Sequence, residues 1–196
     1  MSKSDPAARK QERRKTTRWV VTIFFITIFV SGIISLLSEV LMESSTMFVA
    51  FLILFFIISV GIVFDVVGMA VATADEKPFH SMAARKVSGA QEAIYLLRNA
   101  ERVSSICCDV VGDICGVVSG SASAAIAAQI LAGFDFSLPQ IISLAMSALA
   151  AGLTVGGKAV GKSVAIRSCT SIVHTVGRML RAAQHLPEIF RKRKKK

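Results

Sequence analysis

Histidine is scarce in this chain, with three in 196 residues, and none of the four cysteines forms a CxxC pair. A zinc site of the common Cys/His kind is therefore not expected. No nucleophile elbow and no Ser–His–Asp spacing occurs, and no strand–helix alternation runs anywhere in the chain, so neither a hydrolase nor another enzyme is expected. Charge is also low: 18% of residues are charged against 53% hydrophobic, with a mean hydropathy of +0.61. Soluble domains rarely have this balance, whereas bundles of membrane helices do. Acidic residues are outnumbered, 13 against 23 lysines and arginines, for a net charge of +10. The cations cluster at the termini and helix ends, which reads as membrane topology and lipid contact; nucleic acid is not an expected partner.

What the chain has in quantity is apolar sequence. Four segments are long enough to cross about 30 Å of hydrocarbon at 1.5 Å per residue: about 19–37, 47–71, 103–131 and 139–165. The expected fold is all-α, a polytopic bundle of four transmembrane helices in a domain spanning 19–166. The first run, "WVVTIFFITIFVSGIISLL", is too long for a signal-peptide core and no A-x-A site follows it, so it reads as an uncleaved span. The connections "SEVLMESST" and "AGFDFSLPQ" hold no lysine or arginine. Residues 1–18, the middle segment and the tail hold nearly all of them. The positive-inside rule then puts both termini in the cytoplasm, with Arg18 and Trp19 as an interfacial anchor. The lack of an organellar targeting signal points to a bacterial plasma (inner) membrane. The cysteines, Cys107, Cys108, Cys115 and Cys169, read as small, apolar, reduced side chains.

Two further segments are amphipathic. Over 78–100, Phe79, Met82, Ala83, Lys86, Ala90, Ala93, Ile94 and Leu97 follow helical spacing. They predict one helix, or two broken near "VSGA", lying on the membrane surface or packed on the inner ends of the spans. In 167–196, Ile172, Val173, Val176, Met179, Leu180 and Ala183 mark one apolar face. The polybasic end "RKRKKK" should attract anionic lipids at the bilayer surface.

Ionisable residues inside spans are expensive and need a reason. They are Asp65 in the second span, Asp109 and Asp113 in the third, and Lys158 and Lys162 in the fourth. Counted from the outer helix ends, Asp65, Asp113 and Lys158 all fall about 27–29 Å deep, in one layer, with Asp109 and Lys162 one turn beyond. Gly112, Gly116 and Gly120 recur every four residues, and Gly152 and Gly156 share a stripe with Ala145 and Ala148. Such stripes let membrane helices approach closely. The run "GGKAVGKS", Gly156 to Ser163, satisfies the pattern of a phosphate-binding loop. That loop works only after a strand in an α/β unit, which is absent here.

The stretch "GKAVGKSVA", Gly157 to Ala165, resembles the "GEIxPKSLA" signature that ends the last span in CNNM-type proteins, the CorB/CorC-like magnesium and cobalt transporter family. The match lies at Gly157, Lys162, Ser163 and Ala165. "NAERVSSICC" is similar to the family's "DPERLLST", at Glu101, Arg102 and Ser105. The order of span, juxtamembrane segment, two spans and a further juxtamembrane segment also fits, over roughly residues 47–186. The resemblance implies divalent cation transport as a homodimer. Magnesium would be the transported ion, with no tightly bound cofactor. The acidic ligands would be Asp65, Asp109 and Asp113, with Ser147 and Thr154 as oxygen donors. Lys158 stands at the family's glutamate position and Gly161 at its proline. The first span is extra, and the family's nucleotide-sensing CBS module is not expected after the tail. A lysine reverses the charge: two unit charges about 4 Å apart at an effective dielectric near 20 are worth about 4 kcal/mol. Either Lys158 is a tethered substitute for the ion in a non-transporting scaffold, or the aspartates hold a cation while Lys158 snorkels away.

Overall fold

The computed structural model describes residues 6–43, 46–133 and 139–193, and every element among them is helical. Backbone N–H and C=O groups have no water to bond in hydrocarbon, so apolar runs of this length close their hydrogen bonds internally as helices. Helix α1 covers Pro6–Glu43 and α2 covers Met47–Thr73. Then come α3, Lys77–Ala84, and α4, Ala90–Arg98. A continuous rod follows, made of α5 (Ala100–Ser104), a π-helical stretch over Ser105–Val111, and α6 (Gly112–Gly133). Pro139 begins α7, Pro139–Arg167, where its missing N–H costs nothing. Helix α8 covers Cys169–Arg193.

Four helices are long and apolar enough to cross a membrane, over Thr17–Leu36, Met47–Thr73, Ala100–Gly133 and Gln140–Arg167. The chain is thus built as a multi-pass membrane protein. Helices α2, α6 and α7 pack mutually into a three-helix core, and α1 lies against α6. The half-buried side chains of α1, Trp19, Ile23, Thr27, Val30, Ser31 and Ser35, follow one helical face. At the basic end the Arg102 guanidinium stacks on Trp19, 5.4 Å from the ring centroid. Phe24, Phe25, Phe29, Phe48, Phe55 and Phe56 stay exposed on the outside, as lipid-facing side chains do.

The membrane core and the basic end are packed differently. In the core, Ala50, Leu54 and Ile58 of α2 meet Ala122, Ile126 and Ala127 of α6 and Met146 of α7. Ser119 and Ser123, both buried there, bond back to the carbonyls of Gly116 and Gly120 at 2.9 and 2.8 Å. At the basic end α3, α4 and α8 form a cap on the ends of α2 and α7. Its buried set is Ala70, Val71, Phe79, Ala93, Leu96, Leu97, Ala165 and Val173. Phe79 and Val173 are 0% exposed. The amphipathic middle segment is therefore two helices, and their apolar faces are packed on protein. Met179 and Ala183, which the spacing puts on the same apolar face of α8, are exposed.

Two backbone features make the cap. Helix α3 ends in a Schellman turn: Val87 N–H donates to the Met82 carbonyl at 3.0 Å and Lys86 N–H to Ala83 at 2.9 Å. The left-handed residue in that turn is Lys86, at φ 57°, where glycine is the usual occupant. Gly89, at φ 87°, starts α4. Its carbonyl lies where a Cβ on Gly177 of α8 would sit, so the two backbones touch. The His174 ring is 3.2 Å from the Ser88 carbonyl beside this contact.

Candidate functional site: a lysine–aspartate pair in the membrane core

The charged layer expected from helix lengths contains one ion pair. Asp65 projects from α2 and Lys158 from α7, and Lys158 Nζ lies 3.8 Å from Asp65 Oδ1. Both are largely withdrawn from solvent, at 28% and 19% side-chain exposure. Gly112, at the start of α6, makes room for them. A Cβ there would lie 3.3 Å from Lys158 Nζ, 3.7 Å from Asp65 Oδ1 and 3.5 Å from the Cys107 carbonyl. Three elements thus converge: a carboxylate from α2, an ammonium from α7, and bare backbone from the junction between the π-helical stretch and α6.

That junction has its own geometry. Over Ser105–Val111 the helix is wound wider, each hydrogen bond reaching one residue further than in an α-helix, and Gly112 N–H bonds to the Cys107 carbonyl, five residues back. Insertions of this kind are rare and occur often at functional sites. The stretch lies against α2. Cys108 Sγ approaches the Asp65 carbonyl at 3.6 Å. Gly68 of α2 faces Cys107 and Cys108, with the Cys107 Cβ 2.9 Å from where a Gly68 Cβ would be. Gly61 faces Cys115 at 2.8 Å in the same sense. The four cysteines are free thiols, each half-buried.

The remaining candidates are not gathered here. Asp109 and Asp113 are exposed and make no ion pair among the described residues. Lys162 is exposed likewise. Ser147 is exposed on α7, and the Thr154 hydroxyl is turned onto its own helix, donating to the Ala150 carbonyl at 2.8 Å. Among the described residues no group of three or more His, Cys, Asp or Glu side chains is arranged to hold a metal ion. His80 pairs with Glu76 at 3.3 Å in the cap, away from this layer; the side chain of His185 lies outside the described ones.

The glycine stripes sort in the same way. Gly112 is at the seam, but a Cβ on Gly116, Gly120, Gly152 or Gly156 would meet nothing within 4 Å. Besides Gly112, the span glycines that allow close approach among the described residues are Gly61 and Gly68 of α2, and Gly157 and Gly161 of α7. Gly157 meets Ile62, and Gly161 meets Val66 and Ile62. The four-residue step in "GKAVG" was the available sequence signal, hidden beside the longer stripe.

No family model, curated protein or solved structure matches the chain.

Proposed function

We propose that this chain is a multi-pass membrane scaffold of CNNM/CorB-like build in which the Lys158 ammonium stands where that family would hold a divalent cation. The observation that carries the reading is the Lys158–Asp65 contact at 3.8 Å, seated on Gly112. A carboxylate at membrane depth needs a counter-charge. Here a neighbouring helix supplies it permanently, which ties α2 to α7 without a free ion. On this reading the protein performs no catalysis. It works as a homodimer or with partner membrane proteins, and it holds no resident metal. Its basic end and both termini face the cytoplasm of a bacterial inner membrane, with the polybasic tail on anionic lipid.

A second reading keeps magnesium or cobalt transport. Asp109 and Asp113 favour it, since two exposed carboxylates one turn apart at this level are free to take a cation. Thermal unfolding of detergent-purified protein against magnesium, cobalt and calcium separates the two. A ligand that binds only the folded state raises the midpoint. The scaffold predicts no shift up to millimolar ion. A saturable, magnesium-selective rise that Asp113→Asn abolishes would overturn it in favour of transport.

A further inference from the structure

An open apolar groove of about 530 Å³ runs between α2 and α7. Phe55, Ile58, Ser59 and Ile62 form one wall, and Gly152, Leu153, Gly156, Gly157, Val160 and Gly161 form the other. The hydroxyl of Ser59 is turned inward onto the Phe55 carbonyl at 2.8 Å, so that wall offers hydrocarbon. Gly157 and Gly161 are closed over by Ile62 and Val66 and make the floor, while Gly152 and Gly156 open onto empty space. The groove faces the bilayer side, since Phe55, Leu153 and Val160 at its rim are 61, 44 and 68% exposed.

Its α7 wall continues towards the basic end along a single stripe. Gly152, Gly156, Val160 and Val164 follow at steps of four, and three residues on comes Arg167, the last residue of α7. All five are exposed, and Arg167 makes no ion pair among the described residues. From Gly156 to Arg167 is about 16 Å along the helix, close to half of the roughly 30 Å hydrocarbon thickness. A lipid of the basic-side leaflet with its phosphate at Arg167 would therefore lay its chain in the groove. Arginine suits that role because its planar fork matches phosphate oxygens.

We propose that the α2–α7 groove is a binding site for one anionic phospholipid, its acyl chain over Gly152 and Gly156 and its phosphate on Arg167. The charge at the end of the apolar channel selects an anionic amphiphile over a zwitterionic one. The site does not depend on whether Lys158 replaces a metal ion.

The test is native mass spectrometry of the full chain, exchanged in detergent against phosphatidylglycerol and phosphatidylcholine. The wild type should retain phosphatidylglycerol at least fivefold over phosphatidylcholine, of which one cation near the surface supplies roughly a fivefold share. Arg167→Gln should lower the preference by about that fivefold share, leaving only what the polybasic tail supplies. Gly156→Leu, whose side chain enters open space, should lose retention of both while the thermal midpoint stays within a few degrees. Equal retention of both lipids by the wild type, or retention unchanged in both variants, would overturn the site. So would a Gly156→Leu variant that changes oligomeric mass and keeps its lipid, because a second copy would then fill the groove.

Discussion

The membrane core and the basic-end cap differ most in what they leave outside. In the core, helices meet through the glycines of α2 and α7 and through Ala50, Ala122 and Ala127 beside Leu54, Ile58 and Ile126, while Phe48, Phe55 and Phe56 point outward. In the cap, Phe79, Val71, Val173, Leu96 and Leu97 are buried and the outside carries Arg85, Lys86, Arg98 and Arg178. The solvent explains the inversion. Lipid tails are as apolar as leucine, so burying a large side chain between spans gains little and close backbone contact gains more. Against water, burying large apolar side chains is the main driving force. The Lys158–Asp65 pair, at 3.8 Å, is the ion pair set among these apolar contacts of the core.

The largest effect that would separate the regions is Phe79→Ala. Removing a fully buried phenylalanine from the cap should cost about 3–5 kcal/mol, and the loss should appear first as hydrogen exchange in α3, α4 and α8, with α2 and α6 still protected. Simultaneous loss of protection in all of them would mean that cap and core are one cooperative unit. Lys158→Glu attacks the core. It leaves two carboxylates facing one another beside Gly112 and should destabilise α2, α6 and α7 by about 3 kcal/mol, measured by denaturant unfolding in detergent. A fully stable Lys158→Glu protein would remove the ion pair from the account. Lys86→Gly tests the cap in the stabilising direction. Relieving a left-handed lysine should add about 1 kcal/mol, seen as a higher thermal midpoint. The smallest effect expected is from Asp113→Asn, which should shift stability by no more than about 0.5 kcal/mol, because the carboxylate touches nothing charged among the described residues.

Much of this was legible in the sequence, and the failures share a cause. Apolar runs in the sequence anticipated the four helices long and apolar enough to cross a membrane, because hydrocarbon thickness dictates such lengths. Those lengths also brought Asp65 and Lys158 to one level, and the two side chains do meet. Depth, however, is only one coordinate. Asp113 lies at the same level yet faces outward, and Asp109 with it. The π-helical stretch just before Gly112 changes the rotation of everything preceding it, and no local residue preference announces such an insertion. The stripes misled for a related reason. Gly116, Gly120, Gly152 and Gly156 have the spacing of a packing face, but spacing does not say which face meets a neighbour. In the spans, Gly61, Gly68, Gly112, Gly157 and Gly161 are the described ones with a neighbour to meet. The cap was read as amphipathic, correctly in pattern. Whether an apolar face lies on lipid or on protein depends on α8 arriving from far along the chain, through the Gly89–Gly177 contact.

The most direct test of the tethered-ammonium account is a double-mutant cycle on Asp65 and Lys158. Unfolding free energies would be measured in one detergent for the wild type, Asp65→Asn, Lys158→Met and the double variant. If Lys158 is the built-in counter-ion of Asp65, each single change strands a charge and the double change relieves it. The coupling should then be about 1 kcal/mol or more. Additive effects within about 0.3 kcal/mol would mean that the two charges do not stabilise one another, and the central claim would fall.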